Sequence, residues 1–218
     1  PVEVMNFAIT GYGPNQYAAV IEMYAPVYHP DLIIIGMFVN DYEDVLLTTE
    51  AFQESIGFEQ PSGNSLGAVL SLTSIRSFIR LYFYEPLSEL WSSAPRQHGY
   101  FLGNFAAVER DNPQRDTAIS LVSIRMAQIR AQADEIGAEM MILMIPAPVQ
   151  VCDEAALAYY PRHVDLNDAG RYDPDLPQRL TQQIAGEIGA VYHDLRPLFQ
   201  DAERCPYMAN NMHWRPFA

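Results

Sequence analysis

The stretch Asp31–Asn40, DLIIIGMFVN, decides the fold. It starts with an acidic residue, continues as an apolar run rich in β-branched side chains, and leads into the polar pair Asn40-Asp41. Such a run is typical of a strand that is buried on both faces of a parallel sheet. Residues that follow a parallel strand lie at the carboxyl edge of the sheet, where open α/β folds bind their ligands.

The pair Asn40-Asp41 has two interpretations. The side-chain amide of Asn40 could donate a hydrogen bond to an oxyanion that develops during a reaction. Alternatively, the pair only caps the helix that follows the strand. Together with Asp41, the neighbouring acids Glu43 and Asp44 could form a cation site, or all three could be the acidic side chains that a helix N-terminus favours in any case.

Strands and helices alternate on both sides of this stretch. Upstream, the sequence predicts a strand at Glu3–Thr10, a turn at Gly11-Tyr12-Gly13, and a helix opened by Pro14, whose missing N–H costs nothing there. Downstream, the apolar spacing predicts the following elements: helix Thr117–Ile136, strand Glu139–Ile145, helix Leu176–Ile188, strand Ala190–Asp194 and short helix Leu195–Phe199. This order predicts an α/β fold with a parallel sheet and right-handed crossovers.

The length of 218 residues predicts a single domain, 1–218, interrupted by a mostly helical insertion at about 42–112. No apolar run reaches the ~18 residues that a membrane-spanning helix needs, so we expect no membrane span in this chain. The formal net charge is −14, and all basic residues are arginines because the sequence contains no lysine. This composition excludes a lysine Schiff base and a lysine-containing phosphate loop, and it argues against a nucleic-acid partner.

The two cysteines, Cys152 and Cys205, lie in predicted loops, and their spacing does not indicate a metal site. They could form a disulfide in an extracytoplasmic protein, or they could be two free thiols. Near the C-terminus, the sequence Asn210-Asn211-Met212-His213-Trp214 contains a histidine that could act as a general base. The alternative is an ordinary loop histidine.

Taken together, these segments resemble the SGNH, or GDSL-like, hydrolase superfamily. Asn6–Gly11, NFAITG, is similar to the second sequence block of the family, Phe38–Asp41, FVND, is similar to the third, and His213-Trp214 is similar to the fifth. The resemblance implies that the Gly11 N–H and the Asn40 amide form an oxyanion hole and that His213 is the catalytic base. It also implies weaker candidates for substrate binding, namely Gly13, Asp41 and Trp214.

The resemblance implies a flavodoxin-like three-layer α/β/α sandwich and a serine ester hydrolase that needs no metal or organic cofactor. The His213-Trp214 ending and the strand Val191–Leu195, VYHDL, are similar to carbohydrate O-acetyl esterases and alginate-type O-acetyltransferases. The implied substrates are therefore O-acetylated carbohydrates or small esters. Polysaccharide O-acetyl transfer is an alternative, and so is a non-catalytic carbohydrate-binding or scaffold protein.

Two departures from the family pattern matter. The first block, which carries the nucleophilic serine, has no counterpart, and Ser65 in Ser62–Ser65 lies in the wrong loop to replace it. We therefore expect a fragment, truncated at both ends, that lacks its first strand. An N-terminal segment or a separate chain would supply the serine and a central strand between Glu3–Thr10 and Leu32–Val39.

The second departure concerns the catalytic acid. Asn210 and Asn211 stand where the family usually has the aspartate that orients the histidine. An asparagine can still orient an imidazole but does not stabilise the imidazolium as a carboxylate does. The resemblance also places Cys152 and Cys205 near the active edge, within bridging reach, and we expect an extracytoplasmic location, either periplasmic or secreted.

Overall fold

The computed structural model describes residues 2–9, 11–46, 108–157, 165–208 and 214–215. These residues belong to one compact unit of the chain. The predicted insertion at about 42–112 lies almost wholly outside the described residues. Ser65, Asn210, Asn211 and His213 lie outside them as well.

The described residues form an α/β fold around a small parallel sheet. Its strands are β1 (Leu32–Met37), β2 (Glu139–Met144) and β3 (Val191–Asp194), and they lie side by side in that order. Both strand pairs are parallel, with Leu32 opposite Glu139 and Met141 opposite Val191. The predictions of an α/β class and a parallel sheet are therefore confirmed, and the fold is compatible with a flavodoxin-like arrangement.

The helices of the described residues are α1 (Pro14–Tyr28), α2 (Asp41–Asp44), α3 (Arg115–Ile136), α4 (Pro148–Val151), α5 (Leu176–Glu187) and α6 (Arg196–Gln200). The spacing of apolar residues predicted α3 well, because Val122, Met126, Ile129 and Ala133 are all fully buried. Gly137, with φ of 75°, ends this helix in the left-handed conformation that glycine adopts at low cost. The Pro14 start predicted for α1 is also confirmed.

The core lies on one face of the sheet. Alternate residues of β1 and β2 point into it, namely Ile33, Ile35, Met37, Met140, Ile142 and Met144. On the opposite face, Leu32 is 42% exposed and Ile34 is 53% exposed. The prediction that β1 is buried on both faces is therefore wrong for the described residues. α3 and α5 both pack on this face of the sheet, because buried residues of both helices belong to the same core cluster.

The predicted strand Glu3–Thr10 is a second correction. Residues 2–9 adopt no strand, and several of their apolar side chains are exposed, including Val2 and Val4. Phe7 stacks on Tyr24 of α1 with ring centroids 4.9 Å apart. Among the described residues β1 pairs only with β2, so segment 2–9 has no strand partner. Strand propensity without a partner does not hold a segment in a sheet.

Candidate functional site

The turn after β1 positions Asn40. The strand ends at Met37, and α2 begins at Asp41, so Asn40 stands at the carboxyl edge of the sheet. Asn40 is the N-cap residue of α2, but its side chain makes no capping hydrogen bond. Instead, Asn40 Nδ2 donates a hydrogen bond to Asp44 Oδ2 at 2.6 Å. An amide nitrogen carries two hydrogens, so this contact orients the group and leaves one hydrogen for another acceptor.

The side chain of Asp41 stabilises the same turn from its buried side. Its side chain is buried, and its Oδ2 accepts a hydrogen bond from the Phe38 N–H at 2.9 Å. Burial raises the pKa of Asp41 to about 8, the negative charge of Asp44 adds to this shift, and the Phe38 N–H opposes it. Because the carboxyl group is enclosed, Asp41 supports the turn and presents almost no surface to a substrate.

The glycine turn, Gly11-Tyr12-Gly13, lies against the start of α2. Gly11 has φ of 84°, a conformation that side-chain-bearing residues rarely adopt. Gly13 N–H donates to Gln16 Oε1 at 3.1 Å, which fixes the start of α1. A Cβ atom added to Gly13 would lie 3.0 Å from the Cβ of Asp44. The absence of a side chain at Gly13 therefore lets this turn pack directly against α2.

Tyr17 joins the two turns. Its hydroxyl lies 3.1 Å from the carbonyl oxygen of Tyr12 and 3.1 Å from Asp41 Oδ1. Sequence reasoning did not place Tyr17 in the candidate site. Its position one turn after the Gly-Tyr-Gly motif is the signal that could have marked it. The structure thus brings Gly11, Gly13, Asn40 and Asp41 into one neighbourhood, with Tyr17 as the residue that the sequence analysis missed.

Trp214 is anchored at the same edge of the sheet. It forms an antiparallel bridge with Tyr207, whose hydroxyl donates to the carbonyl oxygen of Pro146, shortly after β2. Trp214 is 44% exposed, and its ring packs edge-on against Phe199 at a centroid distance of 5.5 Å. Trp214, which follows the candidate base His213 in the sequence, is therefore connected through Tyr207 to the carboxyl end of β2. This strand lies beside β1 in the sheet.

Cys152 and Cys205 form a disulfide, with an S–S distance of 2.07 Å, which decides between the two alternatives for the thiols. Cys152 directly follows α4, and Cys205 lies two residues before Tyr207. The bond adjoins a small apolar cluster built on Leu157, Phe199 and Tyr207. Disulfide and cluster together support the segment that carries Trp214.

In the described ranges, no group of three or more His, Cys, Asp or Glu side chains is arranged to hold a metal ion. No helix in that part of the chain is both long and apolar enough to span a membrane. No protein-family model matches the chain, and neither curated proteins nor solved structures provide a match.

Proposed function

We propose that this chain belongs to an SGNH-type serine ester hydrolase that acts on O-acylated, above all O-acetylated, carbohydrates or on small esters. The observation that carries the proposal is the junction at the carboxyl edge of the sheet, where Tyr17 connects the glycine turn to the Asn40 turn. The Gly11 N–H and the second hydrogen of the Asn40 amide are the proposed oxyanion donors. Converging backbone and side-chain amide donors are what a tetrahedral intermediate of acyl transfer requires.

In this mechanism a serine hydroxyl attacks the ester carbonyl, and His213 accepts the hydroxyl proton. The carbonyl oxygen becomes an oxyanion between Gly11 and Asn40. The intermediate then collapses to an acyl-serine, and the alcohol leaves with the proton that His213 returns. In the second half of the reaction water attacks the acyl-serine while His213 takes its proton; the bond to the serine oxygen then breaks, the acid is released, and His213 returns the proton to the serine. A sugar hydroxyl in place of this water would give O-acetyl transfer.

The serine in this proposal comes from an N-terminal segment or from a separate chain, together with a strand beside β1. Two features support this part of the proposal. Among the described residues the outer edge of β1 has no partner strand, and Leu32 and Ile34 are exposed on the open face. Parallel sheets are normally covered on both faces, so an added strand and helix would complete a three-layer sandwich.

The non-catalytic alternative, a carbohydrate-binding or scaffold protein, has one observation in its favour. The Asp44 carboxyl group occupies one hydrogen of the Asn40 amide, and burial raises the pKa of Asp44 to about 6. Above that pH a negative charge therefore stands beside the proposed oxyanion donor, where it opposes a second negative charge. Asn210 and Asn211, which stand where the family usually has an aspartate, also favour the non-catalytic alternative.

For the cellular location we propose an oxidising compartment outside the cytoplasm. The support is the Cys152–Cys205 disulfide, since disulfides persist mainly in secreted and periplasmic proteins.

The test is hydrolysis of p-nitrophenyl acetate and acetylated xylan by the complete protein, including the serine-bearing segment. We expect Asn40→Ala to lower kcat by about 10²–10³-fold, as loss of one oxyanion donor does elsewhere, and His213→Ala to lower it at least as much. Asn15→Ala is the matched control, because Asn15 is a half-buried amide that donates to Val45 O outside the proposed donor pair. Equal turnover by all variants would contradict the enzyme proposal. Mass spectrometry with a glycan acceptor separates transfer from hydrolysis.

A further inference from the structure

We propose that Tyr17 and Asp41 form a proton-dependent clamp that fixes the glycine turn against the Asn40 turn and opens when Asp41 ionises. The clamp consists of the Tyr12 carbonyl oxygen, the Tyr17 hydroxyl, the Asp41 carboxyl group and the Phe38 N–H. Its two side chains are positioning residues, since they hold the proposed oxyanion donors without touching substrate. Their consequence for catalysis rests on the proposed function, whereas the clamp itself is a property of the fold.

The clamp follows from counting hydrogens. The Tyr17 hydroxyl has one hydrogen, yet it lies at hydrogen-bond distance from two acceptors, Tyr12 O and Asp41 Oδ1, both at 3.1 Å. If Asp41 is ionised, the Tyr12 carbonyl oxygen and the Asp41 carboxylate can both only accept a hydrogen bond. The single hydrogen of the Tyr17 hydroxyl can then serve only one of them. If Asp41 is protonated, its carboxyl group donates to the Tyr17 oxygen, and the Tyr17 hydroxyl donates to Tyr12 O. Only the protonated form makes both contacts hydrogen bonds.

The position of the proton follows from the other carboxyl oxygen. Asp41 Oδ2 accepts the Phe38 N–H at 2.9 Å and lies 3.4 Å from the Tyr17 hydroxyl. Oδ1 is closer to that hydroxyl and is therefore the oxygen that carries the proton. One carboxyl group thus bonds to both sides of the junction, accepting from Phe38 at the end of β1 and donating to Tyr17 on α1.

The surroundings of Asp41 favour the protonated form at neutral pH. Asp41 is 1% exposed, and burial raises its pKa to about 8. The groups that face it are Tyr17 from α1 and Tyr42 and Asp44 from α2, and none of them is a cation. The hydrogen bonds from the Phe38 N–H and the Tyr17 hydroxyl lower the pKa of Asp41, but burial outweighs them. α3 packs against α2, and Arg115 of α3 lines a cavity with Tyr42 and Glu43. Arg115 is not among the groups that shift the pKa of Asp41.

Ionisation reverses the arrangement. A carboxylate is a stronger acceptor than a carbonyl oxygen, so the Tyr17 hydrogen turns to Asp41. Tyr12 O then loses its bond to Tyr17, and the glycine turn is released from α1. The clamp therefore holds the Gly11 donor in place below the pKa of Asp41 and releases it above that pH.

The experiment is a pH titration of the full-length protein by NMR, with labels on aspartate carboxyl carbons and glycine and tyrosine amides. In the wild type, we expect the Asp41 carboxyl signal and the amides of Gly11, Tyr12 and Gly13 to shift with one common midpoint well above that of an ordinary aspartate. In Asp41→Asn the carboxamide donates to Tyr17 and accepts from Phe38 at every pH. The amides of the glycine turn should then keep their low-pH positions.

Tyr17→Phe is the second variant, and it removes the connection while leaving the carboxyl group. Asp41 should still titrate, but the amides of the glycine turn should not follow it. Tyr42→Phe is the matched control, because Tyr42 is a buried tyrosine that also faces Asp41, whereas its hydroxyl bonds to Thr181 Oγ1 and not to a member of the clamp. It should retain the common titration. A glycine turn that titrates equally in wild type and Asp41→Asn, or an Asp41 signal with an ordinary midpoint, overturns the clamp.

Ester turnover then separates the clamp from the proposed function. With an active wild type, the clamp predicts that kcat falls at alkaline pH and that Asp41→Asn abolishes this fall, whereas Tyr42→Phe keeps it. If the wild type turns over no ester but the NMR signals titrate together, the proposed function fails and the clamp stands. If ester is turned over while the glycine turn does not follow Asp41, the clamp fails and the function stands.

Discussion

Gly13 is the residue at which a single methyl group would separate the two turns of the candidate site. A Cβ at this position would meet the Cβ of Asp44 at 3.0 Å and Asp41 Oδ1 at 3.7 Å. The nearest atom is close to the backbone of α2 and has little freedom to move. We therefore expect Gly13→Ala to lower the free energy of unfolding by about 1–3 kcal/mol, the usual cost of overpacking. Urea denaturation measures this change.

The matched control for Gly13 is Gly186→Ala. Gly186 lies in α5, and a Cβ atom there meets nothing within 4 Å. Alanine is favoured over glycine inside a helix by roughly 1 kcal/mol, so this variant should be slightly more stable than the wild type. If both substitutions stabilise the protein, the close approach of the glycine turn to α2 is absent.

At the residue scale, the sequence predicted positions but not partners. The place of Asn40 followed from the end of an apolar run, because a strand end and a sheet edge are local properties. The contact between Tyr17 and Asp41 did not follow, since it depends on how α1 approaches the end of β1 and joins residues that are 24 positions apart in the sequence. No local spacing rule reports such an approach.

At the scale of elements, β1 shows what an apolar run leaves undecided. Its sequence, LIIIGM, reads as buried on both faces, yet burial alternates along the strand. An apolar side chain can be buried, but it is buried only where another element packs against that face of the sheet. The same holds for segment 2–9, whose apolar side chains predicted a strand that the described residues do not form. In contrast, the prediction of α3 is confirmed because the apolar residues at helical spacing are the same residues that pack into the core.

The alternation in β1 gives a prediction from two neighbouring isoleucines. Ile35 is 6% exposed in the core, and Ile34 is 53% exposed on the open face. In the chain 1–218, Ile35→Ala should lower the free energy of unfolding by about 2–5 kcal/mol, the range for buried large-to-small changes. Ile34→Ala should cost much less, because little of that side chain leaves water on folding. Chemical denaturation of the two variants measures the difference.

The pair of isoleucines also tests the proposed third layer. When the serine-bearing segment is added, Ile34→Ala should become nearly as costly as Ile35→Ala, because both side chains would then be covered. A cost for Ile34→Ala that stays small in the complete protein would count against an added strand and helix on this face. Equal costs already in the chain 1–218 would contradict the open face itself.

At the scale of the whole molecule, the carboxyl edge of the sheet is stabilised in two separate ways. The main core under β1 and β2 supports the Asn40 turn, whereas the small cluster of Leu157, Phe199 and Tyr207 supports the segment with Trp214. The second cluster is small, and the disulfide closes the chain beside it. We infer that the position of Trp214 depends on this covalent bond more than on apolar burial.

The last prediction tests this dependence through Cys152→Ala/Cys205→Ala. The two cysteines are 53 positions apart, and closing a loop of that size stabilises a protein by about 2–4 kcal/mol, mainly by restricting the unfolded chain. The double variant should lose that amount in urea denaturation, and the fluorescence of Trp214, read in a Trp91→Phe background, should shift to longer wavelength as its segment loosens. Reductant is the control, because it should destabilise the wild type and leave the double variant unchanged. Two thiols that react freely in the native protein would exclude the bond, and an unshifted Trp214 emission would show that the small cluster holds the segment without it.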